Sequence, residues 1–89
     1  MAKAIDQWVF TPHALAEMAR RRISSETVTA VLRAPEQRIP VRTGRDVLQS
    51  RLMLDGNLYI VRVIVDIDRS PADVVTVYRS SKIDKYWSP

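Results

Sequence analysis

Apolar residues recur at helical spacing in two segments near the start of the chain. Thr11 and Pro12 have the pattern of an N-cap followed by proline at the first helical position, where a missing N–H costs nothing. A second helix is predicted from about Ser25 to Ala34, and Pro35 ends it because the residue before proline disfavours helical backbone. The predicted buried stripes are Ala14, Leu15, Met18 and Ala19 in the first helix and Val28, Val31 and Leu32 in the second.

After residue 36, apolar and polar residues alternate along the chain, which predicts strands. A weak strand covers Gln37 to Arg42, and two longer strands cover Asp46 to Leu54 and Leu58 to Ile67. Between the longer two, Asp55-Gly56 is the strongest short hairpin signal in the chain. A last strand is predicted over Val74, Val75, Thr76, Val77 and Tyr78, since these residue types suit a pleated, half-buried surface.

The hairpin turn determines which side chains share a face of the sheet. If Asp55-Gly56 forms the loop, Leu52 lies opposite Tyr59 in the register. Arg51 and Arg62 then share the face that has no helices on it. The face predicted to lie under the helices carries Leu48, Leu52, Leu54, Tyr59, Val61, Val63 and Val65.

These elements predict an α+β fold in which two N-terminal helices pack on one face of a three- to four-stranded antiparallel sheet. Residues 1–89 form a single domain at this length. Residues 1–10 are an apolar lead-in that covers one end of the core or forms an edge strand. With Val75 and Val77 against the helices, Tyr78 lies on the face of the two arginines.

The net charge of the chain indicates an anionic partner. Fourteen Lys and Arg residues against ten Asp and Glu residues give a net charge of +4 and an isoelectric point near 10.0. Eleven of the fourteen cations are arginine, the side chain suited to bidentate phosphate contacts. The alternative is that the basic charge only keeps a small domain in solution.

Composition also excludes several kinds of chemistry. The chain has no cysteine, which removes disulfides, thiolate metal sites and thiol nucleophiles. One histidine and scattered acids provide no metal-ligand spacing, and there is no glycine-rich loop for a nucleotide cofactor. The N-terminus lacks the apolar run of a signal peptide, and no stretch approaches the ~18 apolar residues of a membrane span. We therefore expect a cytoplasmic protein with no metal, no cofactor and no membrane association.

His13 is a candidate for proton transfer, because imidazole titrates nearest to neutral pH. It lies in the first turn of the first predicted helix, where the helix dipole favours a neutral ring that can act as a base. In the alternative interpretation, His13 is a surface imidazole that caps the helix or pairs with Glu17 one turn later.

Arg51 and Arg62 interrupt the apolar alternation of their strands and could clamp a scissile phosphate. In the alternative, they lie on an exposed sheet face and form salt bridges with Asp46 or Asp66. Tyr78, Arg79 and Lys82 could supply a proton and two cations. We therefore predict His13, Arg51, Tyr78, Arg79 and Lys82 as catalytic candidates.

Further basic and aromatic residues suit RNA binding. Tyr86 and Trp87 could stack on bases, and Lys85 lies beside them. Arg21 belongs to the run Arg20-Arg21-Arg22, a generic phosphate patch at best. In the alternative, Tyr78 and Trp87 are core residues, and Lys82 and Lys85 are a solvated rim. The predicted RNA-binding residues are Arg21, Arg62, Lys85, Tyr86 and Trp87.

Several segments together resemble an uncharacterised bacterial family, the DUF4258 domain proteins. The matching residues are the opening Thr11-Pro12-His13-Ala14-Leu15 with Met18, Arg21 and Ile23-Ser24, the helix end at Val28, Val31, Leu32 and Pro35-Glu36, and the run Thr76 to Ile83 with Tyr86-Trp87. This family is similar in layout to RelE-like and BrnT-like ribonuclease toxins, which implies a sheet with basic and aromatic residues that cleave RNA without metal. Glu17 and Arg22 depart from the pattern, which often has arginine and glycine there.

We therefore expect a metal-independent endoribonuclease, the toxin of a toxin–antitoxin pair, with RNA and an antitoxin protein as partners. His13 or Tyr78 would move protons, and Arg51, Arg79 and Lys82 would hold the phosphate. The alternative is a non-catalytic module that binds RNA or a protein through the same basic sheet face. A third interpretation is a regulatory or structural protein with no nucleic-acid role.

Overall fold

Side-chain caps start both N-terminal helices where the sequence predicts them. The computed structural model describes residues 2–89, with helix α1 at Pro12–Arg21 and helix α2 at Ser25–Arg33. The hydroxyls of Thr11 and Ser24 each accept a hydrogen bond from a backbone amide of the first turn, at 3.1 Å in both cases. Each bond satisfies a donor that has no partner within its helix. The prediction of two N-terminal helices is confirmed.

The sheet has five strands rather than three or four, and it is mixed rather than wholly antiparallel. Their order is β1-β5-β4-β3-β2, and β1 runs parallel to β5 while the other pairs are antiparallel. The α+β class is confirmed. The strand bounds are β1 at Trp8–Phe10, β2 at Gln37–Arg42, β3 at Arg45–Leu54, β4 at Asn57–Asp66 and β5 at Ala72–Ser80.

The β3–β4 hairpin has the register that the Asp55-Gly56 turn predicts. Leu52 lies opposite Tyr59, and Gln49 lies opposite Arg62. Asp55 and Gly56 have φ values of 52° and 80°, the left-handed backbone that a two-residue hairpin of this type requires at both positions. The turn therefore fixes the face on which each side chain of the hairpin lies.

A register shift changes the faces of β5. Thr76 pairs with Ile64 and Val74 pairs with Val65, so Val75 is an extra residue in the ladder. Such a bulge interrupts the alternation of side chains. Val74 and Val77 consequently both belong to the core under the helices, and the prediction that Val75 faces the helices is wrong.

The core lies between the two helices and one face of the sheet, called here the helix face. Leu15 and Ala19 were predicted to be buried in α1, but both are exposed. The reason is that α1 packs along the part of β5 that has no strand beside it, so only a narrow stripe of the helix is covered. The buried cluster consists of Ala14, Met18, Ile23, Val28, Val31, Leu32, Leu48, Val61, Val63, Val65, Ala72, Val74 and Val77.

The opposite side of the sheet, called here the tail face, is partly covered by the C-terminal segment. This segment includes the short helix α3 at Ile83–Tyr86, which the sequence did not predict. The Gln37 amide nitrogen donates to the Ser88 carbonyl at 2.6 Å, and the Ser88 N–H donates to the Gln37 side-chain oxygen at 3.0 Å. The fully buried Gln49 donates to the Tyr86 carbonyl at 3.0 Å. These bonds hold the segment against the sheet.

The end of α1 has unusual backbone geometry. Arg22 caps the helix in the left-handed conformation, with φ 55° and ψ 49°. The N–H of Ile23 donates to the Met18 carbonyl at 2.9 Å and closes the last turn.

Among residues 2–89, no helix has the length and apolar character needed to cross a membrane.

Candidate functional site

Arg62 and Tyr78 are directly opposite each other on the tail face, as the alternation predicts. The Arg62 guanidinium donates from Nε to the Gln49 Oε1 atom at 2.8 Å and from Nη1 to the Tyr78 hydroxyl. Its central carbon also lies 4.6 Å from the ring centroid of Tyr86. Gln49 and Arg62 therefore link the centre of the sheet to the phenol of the last strand.

The charge of Arg62 is balanced by neutral groups only. The side chain is half-buried, and no carboxylate within residues 2–89 lies within 4.0 Å of it. Ring faces and amide or phenol oxygens stabilise a cation less than a carboxylate does. Within the described residues, the positive charge of Arg62 therefore has no compensating negative charge.

Arg21 reaches Tyr78 from the other side, around the edge of the sheet. Strand β1 ends where Phe10 pairs with Val74, so the rest of β5 has no strand beside it and α1 runs along it. The Arg21 guanidinium carbon lies 5.7 Å from the Tyr78 ring centroid, and the Tyr86 ring packs edge-on at 5.9 Å. We call Arg21, Arg62, Tyr78 and Tyr86 the Tyr78 cluster.

His13 shares α1 with this cluster but lies away from it. Its Nε2 atom is 3.8 Å from Glu17 Oε1, in agreement with the pairing that the sequence suggested. His13 and Arg21 are eight residues apart, which corresponds to about 12 Å along the helix axis. The structure therefore does not bring the imidazole to the phenol of Tyr78.

Glu17 lies at the centre of a group of cations on α1. Its carboxylate accepts hydrogen bonds from Arg20 at 2.6 Å and from Arg21 at 3.1 Å. These bonds, from Arg21 first and then Arg20, hold the pKa of Glu17 below its ordinary value. The surrounding cations leave the Glu17 side chain only 17% exposed.

Arg51 also lies on the tail face, but it is engaged within the protein. Its guanidinium donates to both carboxylate oxygens of Glu36, at 3.2 and 3.0 Å, and stacks with its carbon 3.8 Å from the Trp87 ring centroid. The Arg51 side chain lowers the pKa of Glu36 and the carboxylate raises the pKa of Arg51. The alternative pairing of the sheet arginines with Asp46 or Asp66 is wrong, because those acids bind Arg38 and Arg45.

A groove of about 480 Å³ runs beside the C-terminal segment on the tail face. It brings together Arg51, Lys82 and Lys85, three of the predicted site residues. No carboxylate in the described part of the chain lies within 4.0 Å of either lysine. We call it the tail-side groove, lined by Arg51, Leu58, Ser81, Lys82, Ile83, Asp84 and Lys85.

A second groove, of about 620 Å³, lies at the C-terminal end of α1. Within it the Arg79 guanidinium carbon is 4.7 Å from the Tyr59 ring centroid, and Arg79 Nη1 is 3.2 Å from an Asp55 carboxylate oxygen. We call it the helix-side groove, lined by Arg20, Arg21, Arg22, Tyr59, Arg79, Ser80 and Ser81.

The two grooves divide the residues that were predicted to hold one phosphate. Arg79 pairs with Val61, whose side chain is in the core, so Arg79 points to the helix face while Arg51 points to the tail face. The predicted grouping of Arg51, Arg79 and Lys82 around a single phosphate does not fit this placement. The physical reason is the alternation of side chains along β5.

Several residues of these sites were missed from the sequence. Tyr59 was not predicted as a binding residue, although the predicted register placed it on the face under the helices, where Arg79 also lies. Gln49 was not predicted as a buried partner of Arg62. For both Tyr59 and Gln49 the available signal was the cross-strand pairing, read together with the charge of the neighbour.

The fold and these surfaces define the class: a small basic α+β domain with cationic grooves on both sides of a mixed sheet. Within residues 2–89, no three His, Asp or Glu side chains are grouped so that they could hold a metal ion. The chain belongs to the DUF4258 family, a domain of unknown function whose model matches residues 10–79. No curated protein and no solved structure matches the chain. The match ends before the tail-side groove's lysines.

Proposed function

We propose that the protein is a metal-independent endoribonuclease that acts at the Tyr78 cluster. The 2′-hydroxyl of RNA attacks the adjacent phosphorus, a 2′-O–P bond forms and the P–O5′ bond breaks. The products are a 2′,3′-cyclic phosphate and a 5′-hydroxyl end. Solvent water accepts the proton of the 2′-hydroxyl, and Tyr78 delivers a proton to the 5′-oxygen and is reprotonated from solvent, so the reaction needs proton transfer and charge neutralisation.

The observation that carries this proposal is the position of Tyr78 beside two guanidinium groups, with Arg62 bonded to its hydroxyl and Arg21 next to its ring. Arg62 donates to the phenol oxygen, which leaves the phenol's own proton free to be donated to a leaving oxygen. Arg21 and Arg62 both lie within 6 Å of the ring and would neutralise the charge that develops on the phosphoryl oxygens. Tyr78 is therefore a better placed proton donor than His13.

Cleavage of a 5′-labelled RNA in the presence of EDTA tests the proposal. Tyr78→Phe removes only the hydroxyl, and we expect cleavage to fall by about 10²- to 10⁴-fold. Thr76→Val is the matched control, because it removes a hydroxyl from the same strand and face without touching either groove. If Tyr78→Phe cleaves RNA at the wild-type rate and His13→Gln loses cleavage, His13 is the proton donor instead. If the native protein does not cleave RNA, the proposed enzyme activity is refuted.

We further propose that this nuclease is the cytoplasmic toxin of a toxin–antitoxin pair. Growth arrest on induced expression, relieved by the product of an adjacent gene, is the expected result. The Tyr78→Phe variant should not arrest growth if cleavage is the cause. Arrest by this variant at an equal protein level would separate toxicity from the proposed chemistry.

A second candidate function is a module that binds RNA or a protein without cleavage. It is favoured by the intramolecular engagement of Arg51 with Glu36 and Trp87, which suits a fixed binding surface. Such a module would bind RNA with an affinity that falls steeply with salt and would leave the RNA intact. The EDTA cleavage assay therefore distinguishes the two functions.

A further inference from the structure

We propose that the two cationic grooves form one continuous path for single-stranded RNA, which bends around the C-terminal end of β5. This inference rests on the proposed function in taking RNA as the ligand, and it names the strandedness that the surface selects. Phosphates would bind in both grooves, and the Tyr78 cluster would lie where the path crosses the edge of the sheet.

Ser81 joins the two grooves, because it lines both of them. It follows the last residue of β5 directly, and the N–H of Lys82 donates to the Ser80 hydroxyl at 3.0 Å in the turn. The helix-side groove and the tail-side groove therefore meet at Ser81, at this end of the strand.

Half of the cations of the chain line this path. The helix-side groove has four arginines, and the tail-side groove has Arg51, Lys82 and Lys85, which makes seven of the fourteen Lys and Arg residues. Arg22, Lys82 and Lys85 have no carboxylate within 4.0 Å among residues 2–89. These three cations are available to neutralise phosphates.

The geometry selects a flexible single strand over a duplex. The grooves face opposite sides of a sheet in a protein whose shortest dimension is 19 Å, so a bound strand must change direction within that distance. Double helices are stiff at this scale, with a persistence length of about 50 nm for DNA. Single strands bend easily and expose bases, and the half-buried ring of Tyr59 offers a surface on which a base can stack.

Fluorescence anisotropy with a labelled 12-nucleotide RNA tests this path. The probe carries 2′-O-methyl groups so that it cannot be cleaved, and it is measured alone and as a duplex. The variants are Arg22→Gln with Arg79→Gln for the helix-side groove and Lys82→Gln with Lys85→Gln for the tail-side groove. The control, Lys3→Gln with Arg42→Gln, removes the same charge from exposed residues that line neither groove.

We expect each groove variant to weaken single-strand binding by about tenfold or more at low salt and the control to have a much smaller effect. The slope of log affinity against log salt should fall by about 1.4 for two lost phosphate contacts on a single strand. The duplex should bind more weakly than the single strand. If Arg79→Gln lowers the thermal midpoint, Arg20→Gln with Arg22→Gln takes its place.

Duplex binding as tight as single-strand binding would overturn the path, and so would a groove variant that behaves like the control. Neither result affects the cleavage assay, which tests the proposed function separately. If neither RNA binds at low salt, this inference is overturned. If the native protein also fails to cleave RNA, the proposed nuclease activity is refuted as well.

Discussion

Glu17 is a single carboxylate that interacts with three basic side chains at the edge of the proposed RNA path. His13, Arg20 and Arg21 all lie within 4 Å of it. The carboxylate orders these side chains, but it also cancels part of the positive charge next to the Tyr78 cluster. Its effect on anion binding is therefore opposite to its effect on local order.

Replacement of Glu17 by glutamine should strengthen RNA binding. Glu17→Gln keeps hydrogen-bond acceptance while it raises the net charge from +4 to +5, and the freed arginines can then meet phosphate. We expect a few-fold gain in affinity at low salt, measured with the uncleavable single strand. Glu26→Gln makes the same charge change on α2, outside both grooves, and an equal gain there would show that only net charge matters.

The Glu36–Arg51 pair should make stability depend on pH in the acid range. Because Arg51 depresses the pKa of Glu36 in the folded state, the pair stabilises the fold above the unfolded carboxyl pKa of about 4.3. That contribution is lost as pH falls through the lower folded pKa. Urea unfolding at pH 7 and pH 3 should show a difference between wild type and Glu36→Gln that shrinks at pH 3, whereas a constant difference would contradict the linkage.

At the scale of elements, the C-terminal segment converts an open sheet face into a partly covered one. Gln49 is the residue that connects the two layers, because it is bonded to Gln37, Arg62 and the Tyr86 carbonyl. A buried amide of this kind stabilises the fold only while its partners are present. The segment and the Tyr78 cluster are thus supported by the same side chain.

Loss of the Gln49 amide should destabilise the protein substantially. Gln49→Ala removes the hydrogen-bond partner of Arg62 Nε and of the Tyr86 carbonyl, and we expect the free energy of unfolding to fall by about 1–3 kcal/mol. Gln7→Ala, at an exposed position, should change it by no more than about 0.5 kcal/mol. Urea denaturation measures both; equal effects would mean that the network contributes nothing specific.

Local patterns predicted the elements whose signals are local. The Thr11-Pro12 and Ser24 caps, the Asp55-Gly56 turn and the alternation of β3 and β4 each depend on residues that are close in sequence. Strand β1 was only one option for the apolar lead-in, because its three residues show no period and its pairing partner Ala72 is distant along the chain. The bulge at Val75 also could not be predicted, because no local pattern in β5 indicates it.

The residues of the candidate site likewise divide into those that a local pattern predicts and those that depend on contacts distant in sequence. Alternation placed Arg51, Arg62 and Tyr78 on one face, and the structure has them there. The approach of Arg21 depends on α1 packing beside the edge of β5, which no local pattern specifies. The cover supplied by Tyr86 depends on a tail whose partners are on distant strands.

For the molecule as a whole, positive charge is concentrated at one end of the sheet. The end opposite the Asp55-Gly56 turn has arginines that are paired with acids, Arg38 with Asp46 at 2.7 Å and Arg45 with Asp66 at 2.6 Å. The end near the turn has the two grooves and their less compensated cations. The excess positive charge of the protein, +4 in total, therefore produces a positive electrostatic potential mainly at the two grooves.

The left-handed backbone at Arg22 sets the stability of the fold against the proposed binding of RNA. A non-glycine residue in this conformation costs about 1–2 kcal/mol, whereas glycine adopts it freely. We expect Arg22→Gly to raise the melting temperature by about 4–8 °C per kcal/mol recovered, measured by calorimetry, and to bind RNA more weakly. Arg42→Gly, a loss of charge in strand β2 where φ is not positive, should not raise it. Selection for heat resistance would thus favour glycine here, and selection for the proposed RNA binding would keep arginine.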